Sequence, residues 1–556
     1  MVKKTRSQRG QRGNILVFLT LALPFFVGIV GLGIDTTMCY IVQAELSAAV
    51  DGAALGTGRL LTTNANPTDI ANEYLNANFR VGQYGFWGAY NLTPTVTVVT
   101  GITKTVTVTA TANVPLLFMR LLHQNAATVG ATATATRRDA RIEFVIDRSG
   151  SMTNTGSDGK QVIVDVLASA VGFTEQFTSC PTSSCTSPLN YDELGLVAFS
   201  GSAAVGYPTT PWPEVQTTNG AGGPDIYFYN GATTDMVHQL NNIAAGGGTA
   251  MGDGLALAYI ELQKTHVRDM AANGGIDTRM NAIVLFTDGV PSSVVTYLNR
   301  KTNSVISSGS GCTYKTDAAT PTNPIYGYVV VSGSPPYSSQ STYSFFQLAS
   351  LDASATHTSA WYMAHPGASS GSSNGDYFSP PAYPVPAGCS SSGWTSQSNL
   401  SAIPTSDKYG WALSANVTGG VNGYMFSSIT GDASATSIYN GTGFSTSSPT
   451  SAYQWGLAGW DEVDNVAQAI RSDSNYAARG ETSPMPITIY TIGYTGNGGT
   501  DGGLLTKIAN IAGCSVNGYS CAINTQKQGL YAQASNASEI AQAFNTILTA
   551  ILRLSQ

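Results

Sequence analysis

The chain has 556 residues, enough for about three to four domains, and 42% of them are apolar but only 11% charged, against roughly 25% in an average soluble protein. Its formal charge is −7, and Lys3, Lys4, Arg6, Arg9 and Arg12 cluster at the start; without them the remaining 21 basic and 33 acidic residues give an acidic body of −12. That body has no basic footprint for a nucleic-acid partner, and its wealth of Gly, Ser, Thr, Ala and Asn suits an extracellular, β-rich surface better than a cytosolic enzyme.

Residues 1–13 form the basic segment, and a long helix is predicted over 14–61. Ile15 to Ile34 is uncharged and almost wholly apolar. Twenty helical residues span about 30 Å, the thickness of a bilayer core. Basic residues ahead of such a helix predict a cytoplasmic N-terminus and an exported body. A cleaved signal peptide is the competing reading. The apolar run is long for one, and no Ala-x-Ala site follows directly, so retention as an anchor is expected. Tyr40 to Leu61 (YIVQAELSAAVDGAALGTGRLL) is rich in Ala and Leu and extends the same rod. The layout RGQRGNILVFLTLALPFFVGIVGLGID followed by AELSAAVDGAAL resembles the N-terminus of the TadE/TadG-like group of Tad/Flp pilus-assembly proteins. Prepilin-type processing sites resemble Gly with Glu five residues on; here Phe18 follows Gly13 and Ile15 follows Gly10 at that distance, a departure from that pattern.

Residues 62–137 read as a small α+β domain, pilin-like in setting. Pro67 to Phe79 reads as a helix entered through turn and cap residues. Thr93–Thr100 and Thr103–Thr111 alternate β-branched residues around a turn at Gly101. Leu-rich Val114–Leu122 precedes a further strand-like run, Ala126–Thr136. No catalytic constellation lies here; spacing or docking the larger domain is the expected role.

Residues 138–302 carry the chemistry. Arg141–Ile146 (RIEFVI) is strand-like and ends at Asp147-Arg148-Ser149-Gly150-Ser151. Leu194–Phe199 reads as the next strand. Gly246-Gly247-Gly248-Thr249 stands before a helical stretch, and Ala282–Phe286 (AIVLF) is a buried-type strand ending in Thr287-Asp288-Gly289. Strands alternating with helices predict a doubly wound, mostly parallel α/β sheet, with these loops at its carboxyl edge, where such sheets bind ligands. Hydroxyl and carboxylate oxygens suit a hard cation. The order Asp-x-Ser-x-Ser, Gly-Gly-Thr, Thr-Asp-Gly resembles the von Willebrand factor A family. The resemblance implies a metal-ion-dependent adhesion site (MIDAS) of Asp147, Ser149, Ser151, Thr249 and Asp288. It implies one divalent cation, Mg²⁺ first with Ca²⁺ or Mn²⁺ as alternatives, and an open position for an acidic group of a partner. No catalytic residue is assigned. His123, His238, His266, His357 and His365 are scattered, and Ser149 and Ser151 lack a nucleophile elbow. Glu143 reads as a surface strand residue and Asp253 as a helix-start residue, so a metal hydrolase is a remote alternative.

Residues 303–455 are a Ser/Thr/Gly/Tyr-rich insertion of few charges, read either as a binding surface or as a permissive surface segment. Residues 456–556 return to the domain: a helix over Asp461–Arg471, a strand at Ile487–Gly493, a helix over Leu504–Ile511, and a short strand with a final helix from Leu530. That helix is expected to start on Ser538 and to bury Ala541, Phe544, Ile547, Leu548 and Ile551. Such an ending resembles TadG-like proteins. Cys39 lies on the long helix. The other six cysteines suit three disulfides in an oxidising compartment, Cys180–Cys185, Cys312–Cys389 and Cys514–Cys521, with unpaired thiols as the alternative. Together these resemblances imply an exported protein of Tad/Flp pilus biogenesis or pilus-tip adhesion. Its partners would be pilus subunits or the Tad assembly machinery, an acidic surface ligand, and a membrane met through residues 15–34. It would reside in a bacterial inner membrane or at a pilus tip. A pilus-independent envelope scaffold is the alternative.

Overall fold

A computed structural model describes residues 12–61, 66–99, 103–177, 192–207, 236–272, 274–298, 306–308, 312–314, 325–332, 342–347, 407, 411, 413, 452–496, 499–516, 519, 520 and 522–552. They fall into two compact units that divide between Arg138 and Asp139. Gly101, Cys180, Cys185, His357, His365, Cys389 and Cys521 lie outside the described residues.

The first unit begins with α1 (Arg12–Leu60), one continuous helix of 49 residues. Its early apolar side chains face outward, with Phe18 and Leu21 more than 70% exposed, and it is long and apolar enough to cross a membrane. Its later part behaves differently. Val42, Leu46, Ala49, Val50, Ala53 and Ala54 are buried, a stripe at helical spacing. They pack on Ala71 and Leu75 of α2 (Pro67–Asn78) and on Val106, Val108, Ala110, Ala112 and Val114. These last residues belong to β2 (Thr103–Pro115), the middle of an antiparallel sheet with β1 (Tyr90–Val99) and β3 (Ala126–Arg138). The rod is therefore exposed and apolar in its earlier half and part of the core in its later half. Asn66 caps α2 by accepting from the Thr68 N–H, with Pro67 in the first turn, as those residue types favour. The other sheet face carries threonine pairs, Thr107 with Thr134 and Thr109 with Thr132, each 3.1 Å apart.

The second unit is built on a six-stranded sheet among the described residues. Its strands are β4 (Ala140–Asp147), β5 (Glu193–Phe199), β6 (Ala203–Tyr207), β7 (Met280–Thr287), β13 (Ile487–Tyr494) and β16 (Tyr531–Ala534). The spatial order is β16-β13-β7-β4-β5-β6. All pairs are parallel except β5–β6. Alternate residues serve opposite faces. Ile142, Phe144, Ile146, Val284 and Phe286 join α3 (Val162–Thr174), α4 (Met236–Asn241) and α8 (Ala537–Ile551). Val145, Ile283 and Leu285 join α5 (Met251–Ala272), α6 (Ala452–Ser472) and α7 (Gly502–Ile508). The expected doubly wound, mostly parallel sheet is thus present. Beside it, β8 (Ser293–Leu298), β11 (Ile325–Ser332) and β12 (Thr342–Gln347) form a three-stranded antiparallel sheet. Two short antiparallel pairs complete the described strands, β9 (Ile306–Ser308) with β10 (Cys312–Tyr314) and β14 (Ser515–Val516) with β15 (Tyr519–Ser520).

Three expectations are corrected. Glu143 is fully buried rather than on the surface. It sits on a central strand flanked on both sides, and Gly195 on β5 leaves the room: a Cβ there would collide with the Glu143 carboxylate. The cap of α8 is Asn536, whose side chain accepts from the Glu539 N–H at 3.1 Å, while Ser538 donates its hydroxyl to Asn536 Oδ1 at 2.8 Å. Glu539 reaches back to the Ser535 N–H at 2.8 Å, which closes the turn. The buried stripe is Ile540, Ala543, Phe544, Ile547 and Ile551, with Ala541 exposed and Leu548 half-buried.

At the amino edge of the sheet, Arg141 is wholly buried among acids. Its guanidinium meets Glu193 and Asp277 at 2.8 Å each, and Asp269 as well. Asp269 is shared with Arg279. His266 bridges Asp277 (2.6 Å) and Glu481 (3.1 Å). The Arg141 charge holds the Asp277 carboxyl well below the usual carboxylate range, against the burial that raises it.

Candidate metal centre

The strand order reverses between β4 and β7, which are adjacent in the sheet while their chain connections run to opposite sides. In open α/β sheets that switch point, at the carboxyl ends of the strands, opens the crevice where ligands bind. The sequence puts Asp147 at the end of β4 and Asp288 directly after β7. Neither is exposed.

The five expected residues come together there. Ser149 and Ser151 flank the start of a short 3₁₀ turn, Gly150–Thr153. Their hydroxyl oxygens are 3.0 Å apart, and the Ser151 hydroxyl donates to Asp288 Oδ1 at 2.7 Å. Thr249 stands two residues before α5. A Cβ placed on Gly289 would lie 3.5 Å from the Thr249 hydroxyl oxygen and 3.8 Å from that of Ser151. Both hydroxyls therefore converge on the Asp288 loop.

Backbone bonds lock the loops together. The Gly150 N–H donates to Gly247 O at 3.0 Å, and the Gly246 N–H donates to Arg148 O at 2.6 Å. Gly247 has φ +91°, a conformation that side chains resist, and it turns the Gly-Gly-Thr loop toward Gly150. Thr249 is held on both sides: its N–H donates to Ser292 Oγ at 3.1 Å, and its carbonyl accepts from Ser292 and Ser293. Strand β11 lies against this loop. The Val331 N–H donates to Ser292 O at 2.7 Å, and a Cβ on Gly248 would press on Val330 and Ser293 at 3.1–3.2 Å. Part of the polar insertion thus borders the site.

Asp147 is oriented by two donors. The Ser149 N–H gives to its Oδ1 at 2.7 Å, and the Thr287 hydroxyl gives to its Oδ2 at 2.6 Å. Thr287 in turn accepts from the Gly289 N–H at 3.2 Å. Burial and the nearby Asp288 charge push the Asp147 carboxyl up to about 7, against the pull of those donors. None of the strongest influences on it is cationic. Thr287 and Ser292 support the site without belonging to the five expected residues. Thr287 was legible, since it opens the Thr-Asp-Gly motif; Ser292 carried no signal.

The donor set fits a hard divalent cation. It is all oxygen, two carboxylates and three hydroxyls, and it places two acids side by side in the interior, where an uncompensated pair is costly. Among the described residues no three His, Cys, Asp or Glu side chains gather as a metal cluster; this centre holds only two carboxylates and draws its other donors from hydroxyls. Candidate bases are engaged elsewhere. Asp253 accepts the Ala203 N–H at 2.6 Å. His266 sits in the Arg141 cluster at the opposite sheet edge.

Comparisons with solved structures give remote likenesses. The PilB minor pilin of Streptococcus sanguinis has a TM-score of 0.32 at 14% identity, over 84% of this chain and 79% of that one. The adhesive tip pilin GBS104 of group B Streptococcus agalactiae has 0.28 at 12%, over 84% and 69%. Proximal thread matrix protein 1 of the mussel byssus, solved with a zinc-occupied MIDAS motif, has 0.17 at 17%, over 28% and 29%. At these scores none bears on what this chain does. No curated protein matches it. One family model does match, the Tad model for Flp pilus-assembly TadE/G-like proteins, over residues 13–59. That segment is α1 almost entire, so the likeness to TadE/G-like Flp pilus-assembly proteins lies in residues 13–59.

Proposed function

We propose that this is an exported component of Tad/Flp pilus biogenesis or pilus-tip adhesion, anchored in a membrane or incorporated in a pilus through α1. In this reading its second unit is a von Willebrand factor A-type domain that binds an acidic ligand through one divalent cation, Mg²⁺ in the first place. The observation that carries it is the meeting of Asp147, Ser149, Ser151, Thr249 and Asp288 at the switch point of the sheet. The TadE/G-like match over residues 13–59 supports the pilus setting.

Each residue has a part. Asp147 and Asp288 supply negative charge, and Ser149, Ser151 and Thr249 supply neutral oxygens. Thr287 and the Ser149 N–H fix the Asp147 carboxylate, and Ser292 fixes the Thr249 loop. A bound cation would supply an electrophilic position for a carboxylate of the partner, so that the ligand is held without bond cleavage.

The test uses the full chain in detergent. Manganese binding followed by electron paramagnetic resonance should show one site per chain, displaced by Mg²⁺. Thr249→Ala should weaken it at least tenfold, and Asp147→Ala should abolish it with the secondary structure retained. Manganese bound equally well by both variants would sink the metal-site reading. Deletion of the protein should remove pili or surface attachment; normal pili and attachment would favour the pilus-independent scaffold.

A further inference from the structure

The link between β2 and β3 is an apolar segment, Leu116-Leu117-Phe118-Met119-Arg120-Leu121-Leu122, ending in a 3₁₀ turn at Met119–Leu122. Such a sequence at a strand connection ordinarily turns inward or is replaced by polar turn residues. Here it is tied to α1 at one height. The Asp35 carboxylate, itself buried, accepts the N–H groups of Leu117, Phe118 and Met119, each at 2.9 Å. Four residues earlier, a Cβ on Gly31 would collide with the Phe118 ring, so the glycine is what lets that ring lie on the helix. Yet Leu117 remains 39% exposed. Phe86, 44% exposed, stands edge-on to Trp87 with ring centres 5.8 Å apart, and the exposed Arg120 lies over Phe86 at 5.6 Å.

The height matters. If residues 15–34 fill the bilayer core, Gly31 lies three residues, or about 4.5 Å, inside its boundary, and Asp35 lies just beyond it. The segment is thus pinned where hydrocarbon gives way to headgroups. That is the depth favoured by amphipathic aromatic side chains and by apolar surfaces lying in the interface. A carboxylate there is costly unless its oxygens are bonded, and three backbone donors meet that need for Asp35.

We propose that Leu117–Arg120, with Phe86 and Trp87, is a second membrane contact that seats the first unit on the phospholipid surface of the exported side. Leu117 and Phe118 enter the edge of the acyl region, and Arg120 reaches back toward lipid phosphate, its stem lying on apolar surface. The occupant is a phospholipid bilayer, because the patch continues the exposed apolar surface of α1 without a break in height. The inference rests on residues 15–34 spanning the membrane.

The experiment places benzoylphenylalanine singly at Leu117, Leu21 or Ile276 of the full chain, reconstituted in phosphatidylcholine–phosphatidylglycerol vesicles with a tagged phospholipid. Leu21 on α1 is 75% exposed and Ile276 in the second unit is 53% exposed. Photolysis should give lipid adducts at Leu117 and Leu21 at least tenfold above those at Ile276. Adducts at Leu21 but only background at Leu117 would overturn the second contact alone. Background at both would overturn the membrane-spanning reading and this inference with it. Adducts at Leu117 joining two copies of the chain, in place of lipid, would assign the patch to a neighbouring subunit and overturn the proposal.

Discussion

Replacing Asp147 by asparagine should make the metal-free protein more stable while abolishing cation binding at the proposed site. The two carboxylates at the switch point are buried, and burial with the Asp288 charge raises the Asp147 carboxyl from 3.8 to about 7. The sign follows from linkage. Below pH 4 the group is protonated whether folded or unfolded, and no penalty exists. Between pH 4 and 7 the unfolded chain ionises while the folded one keeps its proton, so stability falls as pH rises; above pH 7 the loss is complete. At 1.36 kcal/mol per pH unit the full loss is about 4 kcal/mol. The asparagine side chain carries no charge, accepts from the Ser149 N–H as the aspartate does, and can pair its amide with the Thr287 hydroxyl. Thermal unfolding of the full chain in detergent with a chelator should therefore show the second unit of Asp147→Asn melting on the order of 5 °C above wild type at pH 8. The gap should vanish near pH 4. Added Mg²⁺ should raise wild type and leave the variant unmoved. A variant that melts below wild type at pH 8 would refute the repulsion argument.

Three further outcomes follow from the packing. Arg141→Ala removes the cation that Glu193, Asp269 and Asp277 share, leaving Arg279 and His266 to offset three buried acids, and should cost about 3–5 kcal/mol, read as loss of protease resistance in the second unit; in wild type the Asp277 contribution is complete above about pH 4 and fades only as pH drops further. Phe544 stacks on Phe286 at 6.3 Å and meets Phe173 at 5.8 Å, so Phe544→Ala should cost about 3–5 kcal/mol in chemical denaturation without changing manganese affinity. Cys39 is free whereas Cys514 is disulfide-bonded; non-reducing peptide mapping should recover Cys180–Cys185, Cys312–Cys389 and Cys514–Cys521, and a Cys514 peptide linked elsewhere would refute that pairing.

The candidate site was legible because its residues sit where strongly apolar strands stop. Buried parallel strands read as unbroken apolar runs, so the residue that ends each run, Asp147 or Asp288, is located to within a position. What surrounds those ends was harder to read. Arg141 finds its acids 52 to 136 residues away, a pairing that only the folded sheet creates. Glu143 obeys a strand alternation that would put a charge in water on a half-exposed sheet, but a central strand covered on both faces has no wet side. At α8 the chain offers Asn536 and Ser538 as rival caps, and the choice falls to Asn536 because Glu539 can close the turn behind it. The buried stripe there keeps Phe544, Ile547 and Ile551 and takes Ile540 and Ala543 in place of Ala541 and Leu548.

One helix, α1, supplies both an exposed apolar rod and a wall of the first unit's core. Residues 42–54 supply one wall of the core against which β2 closes. A fragment beginning after residue 61 would lack that wall and present Val106, Val108, Ala110 and Val114 to water. The sheet of the first unit therefore needs the later half of α1 to close its core. Any truncation meant to remove the exposed apolar part of α1 must either keep the helix from about residue 40 or give up the first unit and start at the second.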